Sequence, residues 1–164
     1  GMRWWFLLLY GHGYHPDLHS RPPRRPSDLD GYIGGAAVAD FAPGSIAPCK
    51  LKKIAGGETL MLELVRTPDI LADVASHALR PRLVVGFAAE THDVERYARD
   101  KLARKQLDLI AANCVGVEGS GFESEDNALV VYGADYECAL GPAPKTQLAD
   151  ALLDLIAARL QALR

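Results

Sequence analysis

Lys101 and Lys105 stand one helical turn apart, so a helix would carry both ammonium groups on one face. Phe87 follows Gly86 at the end of a short apolar run. Ligands of open α/β sheets bind beyond the carboxyl ends of the strands. An aromatic ring and two cations at such a rim suit a base and a polyphosphate. The competing reading is a solvated helix face and a core phenylalanine. Gly34, Gly35 and Ala36 are small residues within a predicted strand over 32–40. They leave room for a ligand against the backbone, or for a helix packed on the strand. Asp40 follows as an acceptor-only group, or as an ordinary turn residue. Lys50, Lys52 and Lys53 come after a segment with two prolines and a glycine. On a loop they would clamp phosphate as point charges; on a sheet edge they would guard it against pairing.

The elements around these residues form a recognisable unit. Leu83 to Val85 reads as a strand, and Thr91 as the N-cap of a helix with Asp93 and Glu95 in its first turn. Val94, Tyr97, Ala98 and Leu102 keep helical spacing, and Leu107 to Ala111 reads as a second strand. Strand, helix, strand in this order asks for a parallel sheet. Upstream, Arg3 to Tyr10 reads as a buried strand, Phe41 to Pro48 as a loop, and Gly56-Gly57 as a hairpin turn. Thr59 to Val65 follows as a strand with Leu60, Leu62 and Leu64 on one face. Thr67, Pro68 and Asp69 predict a helix start, with Ile70, Leu71, Val74 and Ala78 as its apolar stripe. Downstream, 116–126 reads as a loop and Ala128 to Tyr132 as a strand paired or capped by Tyr136 to Leu140. A last helix from about Thr146 turns Leu148, Leu152, Leu155 and Leu163 to the sheet.

Length and composition exclude several classes. The 164 residues are 49% hydrophobic and 24% charged, which suits one globular domain. A net charge of -3 gives no electrostatic case for nucleic acid as a partner. Cys49, Cys114 and Cys138 form no Cys-x-x-Cys pair, as expected of reduced thiols in a cytoplasmic protein. No run approaches the roughly 18 to 20 apolar residues of a membrane helix. His12, His15 and His19 lie close together, but no carboxylate or thiol spacing supports them, so no metal site is predicted. Gly11-His12-Gly13 lacks the third glycine of a dinucleotide turn. Residues 1–27 read as an atypical strand with a proline-rich connector, and 28–164 as the folded domain.

Several segments then line up in one order: Ala36 to Asp40, Lys50 to Lys53, Thr67 to Ile70, Gly86 to Thr91, Ala98 to Lys101 with Lys105, Leu107 to Ile110, Ala112-Asn113 and Gly121 to Asn127. With these, the chain resembles phosphopantothenate–cysteine ligase, which in many bacteria is the carboxyl-terminal half of a bifunctional coenzyme A biosynthesis flavoprotein. The resemblance implies an α/β, Rossmann-like three-layer domain with a mostly parallel sheet, altered or truncated in its amino-terminal part. It implies a homodimer whose substrates are CTP with Mg²⁺, 4'-phosphopantothenate and cysteine, with an acyl-cytidylate as intermediate. By resemblance, Gly34, Gly35, Ala36, Asp40, Thr67, Pro68, Asp69 and Ile70 line a CTP pocket, and Phe87 lies against cytosine. Lys50, on a lid, Lys101 and Lys105 address phosphates and act in catalysis. Cys114 stands where the family usually has Asp, and Thr67 where it has Asn. The family's Gly-Gly-Thr turn and its asparagine-bearing segment have no counterpart in residues 1–27. The alternative is a family relic, or a dimerisation or nucleotide-binding module without ligase activity.

Overall fold

The computed structural model describes residues 4–6, 29–35, 38–51, 59–115 and 126–163. The chain forms two compact units: Gly1–Ala36 with Leu71–Arg164, and Ala37–Ile70.

The first unit is built on a six-stranded sheet. In chain order its strands are β1 (Trp4–Phe6), β2 (Gly31–Gly34), β5 (Leu83–Glu90), β6 (Leu109–Cys114), β7 (Asp126–Gly133) and β8 (Tyr136–Pro144), and they lie side by side in that same order. The first four run parallel; β7 and β8 join antiparallel. The expected mostly parallel centre is present. Val84 and Val85 are fully buried, as are Ile110 and Ala111, because helices cover both faces of the central strands.

One face carries Ile33, Val85, Ala111 and Val131 against α3 (Lys145–Ala162). The other carries Val84, Ala88, Ile110 and Ala112 against α1 (Ile70–Ser76) and α2 (Val94–Arg104). That is a three-layer, Rossmann-like α/β arrangement. The α3 seam is Leu148, Leu152, Ile156 and Leu160, which recur at every fourth position. Leu163, expected on this stripe, is half exposed because the helix ends at Ala162.

The turn between α2 and β6 has a clear local cause. Gln106 takes a positive φ of 55°. Its amide bonds Ala103 O, while the Leu107 amide bonds Leu102 O. Those are the two bonds of a Schellman C-cap, and the buried pair Leu102 and Leu107 supplies its apolar contact. Asp108 then ties this corner to the start of β5. Its carboxylate accepts the Val84 amide at 2.6 Å and pairs with the Arg80 guanidinium.

Several boundaries differ from expectation. β5 does not stop at Val85 but runs on to Glu90, so Phe87 lies within the strand. β6 starts at Leu109 rather than Leu107, which the C-cap occupies. The N-cap of α2 is Asp93 rather than Thr91, and its backbone is left-handed at φ 47°. The Thr91 hydroxyl bonds His92 Nδ1 instead. β2 ends at Gly34, well short of Asp40. The Arg3 to Tyr10 strand appears as Trp4–Phe6, and its flanks lie outside the described residues.

The second unit holds a two-stranded antiparallel sheet of β3 (Phe41–Pro43) and β4 (Leu64–Arg66). Phe41 to Pro43 is therefore strand, not loop, and the strand expected over Thr59 to Val65 reduces to its last residues plus Arg66. Leu60, Leu62 and Leu64 are exposed, so they form no buried face. Gly56 and Gly57 lie outside the described residues. Thr67 caps no helix. Its amide bonds Asp40 O at 3.0 Å and its hydroxyl donates to Ala39 O, which prolongs the β3–β4 pairing by one step. The helix accordingly starts at Ile70 rather than Pro68 and ends at Ser76, before Ala78.

Candidate functional site

The carboxyl edge of the parallel strands is formed where β2 ends. Gly34 pairs with Gly86, and the next residue of β5 is Phe87. Gly34 and Gly86 serve helix packing. A Cβ on Gly34 would fall 2.9 Å from Leu71 Cδ1, and one on Gly86 would fall 2.7 Å from Leu107 Cδ1 and 3.1 Å from Leu71 Cδ2. For these two glycines the packing reading wins: Leu71 of α1 uses the space.

Gly35 is different. It is exposed, and a Cβ there would sit 3.7 Å from Phe87 Cε2, an ordinary contact. Gly35 and the half-buried Phe87 ring therefore lie against each other at the end of β2. The ring also packs on the core seam shared with Ile33 and Val85. Phe87 is thus partly core and partly rim, and the two sequence readings of it are compatible.

Lys101 reaches this edge from α2. Its ammonium donates to the Phe87 carbonyl oxygen at 2.8 Å, and the side chain is part-buried. Lys105 follows one turn on, its amide bonded to Lys101 O at 3.0 Å, and it too is half-buried. Lys101 sits in the last turn of α2 and Lys105 at its C-cap, where the helix dipole favours positive charge.

Four polar groups at this edge were not assigned from sequence. Thr91 Oγ1 and His92 Nδ1 are 3.0 Å apart, and His92 Nε2 and the Tyr97 hydroxyl 3.4 Å. The His92 and Tyr97 rings meet edge to face. Cys114 Sγ lies 4.0 Å from Thr91 O. The available signal was positional: His92 follows the end of β5 and Cys114 is the last residue of β6, its parallel neighbour. Burial alone raises the pKa of the Tyr32 hydroxyl on β2.

In the second unit, Asp40, Lys50, Pro68, Asp69 and Ile70 are exposed and Thr67 is half-buried. Backbone bonding between Asp40 and Thr67 brings these two together. Ala36, Lys52, Lys53, His12, His15, His19 and Phe122 lie outside the described residues.

A parallel-centred sheet between helix layers, with small residues, a ring and a basic helix at its carboxyl edge, defines a Rossmann-like α/β domain. The chain belongs to the family described as "DNA/pantothenate metabolism flavoprotein C-terminal domain", whose profile matches residues 17–160. It is 44% identical over 140 residues to the coenzyme A biosynthesis bifunctional protein CoaBC of Vibrio cholerae, covering 85% of this chain and 35% of that protein. The Escherichia coli K12 protein of the same name is 46% identical over 129 residues, 78% of this chain and 32% of its own. The chain thus spans about a third of the length of these relatives. A crystal structure of the C-terminal domain of CoaBC superposes with a TM-score of 0.62 at 30% identity, covering 83% of this chain and 57% of that one.

Proposed function

We propose that this chain carries the CTP-binding part of a phosphopantothenate–cysteine ligase, a step of coenzyme A biosynthesis. The observation that supports it best is the edge just described: Gly35 against the Phe87 ring, with Lys101 bonded to the backbone of the same phenylalanine. The names of the relatives agree with it.

In this reading cytosine stacks on Phe87, and Gly35 and Ala36 let the nucleotide approach the backbone. Lys101 and Lys105 face the triphosphate. The carboxylate of 4'-phosphopantothenate attacks the α-phosphorus of CTP, forming the acyl-cytidylate and releasing pyrophosphate. The amine of cysteine then attacks the acyl carbon, forming the amide and releasing CMP. Ammonium groups aimed at charge developing on the α-phosphate are the main electrostatic contribution to rate. The same reading assigns Asp40, Lys50 and Thr67 to Ile70 to nucleotide binding. Among the described residues, no three His, Cys, Asp or Glu side chains cluster closely enough to hold a metal. Mg²⁺ then arrives on the triphosphate, the usual arrangement for this ion, and no step is assigned to it.

Titration with CTP, UTP and ATP tests the reading. CTP is expected to bind at least about tenfold more tightly than the others, the discrimination a few base-edge hydrogen bonds supply. Equal affinity for all, or none, would sink it.

The homodimer belongs to the same proposal. The second unit exposes Ile46 at 95% and Met61 at 94%, with Leu51, Leu60 and Leu62 each more than half exposed. A lone two-stranded sheet is marginal in water, and such a concentration of exposed apolar side chains marks an interaction surface. A second copy of the chain is its proposed occupant. Sedimentation equilibrium should give twice the chain mass, and Met61→Asp with Leu62→Asp should shift it toward the single mass. A monomer at all concentrations would remove this part. No helix among the described residues is long and apolar enough to cross a membrane; a cytoplasmic setting is part of the proposal.

A further inference from the structure

β5 outruns its neighbour. β2 pairs with it from Gly31 to Gly34, opposite Leu83 to Gly86. Phe87 to Glu90 keep only β6 as a strand partner among the described residues. Along a strand, successive backbone groups point to alternate sides. Val84 O accepts the Asp108 amide at 3.0 Å, and Glu90 O accepts the Val115 amide at 2.9 Å, both from the β6 side. Counting by two between them, the Phe87 carbonyl points the other way, to where β2 has ended. A backbone carbonyl within the fold needs a donor. Lys101 supplies it at 2.8 Å, and a charged donor makes such a bond about twice as strong as a neutral one.

We infer that Lys101 is a positioning residue for the base end of the site, acting through the Phe87 carbonyl. The inference rests on the nucleotide reading proposed above, and it gives Lys101 a role separate from phosphate charge. The residue whose ring meets Gly35 is the residue whose carbonyl Lys101 holds. Releasing that carbonyl frees one side of β5 beneath the ring, and stacking geometry loosens even for a ligand that carries no phosphate.

Cytidine, which has no phosphate, separates the two roles. Its affinity is measured beside that of CTP, and backbone amide exchange is followed at Ala88 and Glu90 in the ligand-free protein. Lys101→Met is expected to weaken cytidine about tenfold, the size of a lost charge-assisted hydrogen bond, and to speed exchange at both amides. Lys101→Arg, which keeps charge and donors, should restore both, and so guards against a variant that merely folds poorly. Lys105→Met should weaken CTP. If Lys101→Met weakens CTP but leaves cytidine and the amides as in the parent, Lys101 is a phosphate contact alone and the inference is overturned. A parent protein that binds neither ligand overturns the nucleotide reading; unchanged amide exchange in Lys101→Met then overturns the strand-holding role as well.

Discussion

Replacing Lys101 and Lys105 together by Met will weaken CTP binding at least about 100-fold, since each hydrogen bond to a charged group is worth about 1.5 to 3 kcal/mol. Both side chains are half-buried at the carboxyl end of α2, Lys105 as its C-cap, so their charge is screened less than that of a fully exposed pair. The measurement is calorimetric titration of CTP at two salt concentrations. The parent should lose affinity as salt rises, and the double variant should lose less, because two of the charges that salt screens are gone. Folding stability is expected to fall by about 1.5 to 3 kcal/mol, the worth of a hydrogen bond to a charged group, here the one from Lys101 to the Phe87 carbonyl. A double variant that binds CTP within twofold of the parent would show that the helix face is only a solvated surface.

What could be seen in advance divides along physical lines. The β5–α2–β6 unit was legible because period decides it: Val84 and Val85 sit in a run covered on both faces, and Ala98 and Leu102 recur one turn apart. Its ends were not. Thr91 has the chemistry of an N-cap, yet the chain enters α2 through a left-handed Asp93, and the threonine hydroxyl goes to His92. Thr67-Pro68-Asp69 carries a helix-start signal at least as strong, but backbone pairing with Asp40 and Ala39 outcompetes capping. At Thr67 tertiary hydrogen bonds override local propensity; at Thr91 a bond to the adjacent His92 replaces the cap.

For the candidate site, residue types were legible and directions were not. Small residues at 34 and 35 look alike in sequence, but side chains alternate across a strand. Gly34 therefore faces Leu71, and Gly35 faces the Phe87 ring. The backbone role of Lys101 was invisible for a related reason. It depends on where β2 stops relative to β5, and no local pattern encodes the difference in length between two strands.

Gly141→Ala is expected to destabilise the protein by about 3 kcal/mol, the upper end of the cost of a strained backbone position. That would lower the melting temperature by about 10 °C in a domain of this size. Gly141 has φ +90°, a conformation that side-chain-bearing residues rarely adopt. An added Cβ would also fall 2.9 Å from Asn127 O, 3.0 Å from Ala143 N and 2.9 Å from Leu148 Cδ2. Two of those atoms are backbone, held by the β7–β8 pairing in which Asn127 faces Ala143. They cannot turn aside as a side chain can. Leu148 begins the seam by which α3 covers the sheet, so relief by moving it opens the core. Gly86→Ala makes the useful comparison, because its Cβ would come even closer to another atom, 2.7 Å from Leu107 Cδ1. There the obstacles are the ends of leucine side chains and φ is unremarkable, so repacking holds the cost to about 1 kcal/mol, the low end for overpacking. Thermal unfolding of the two variants side by side is the check. If Gly86→Ala proves the more damaging, closest approach governs rather than whether the neighbour can yield, and the account of both glycines fails.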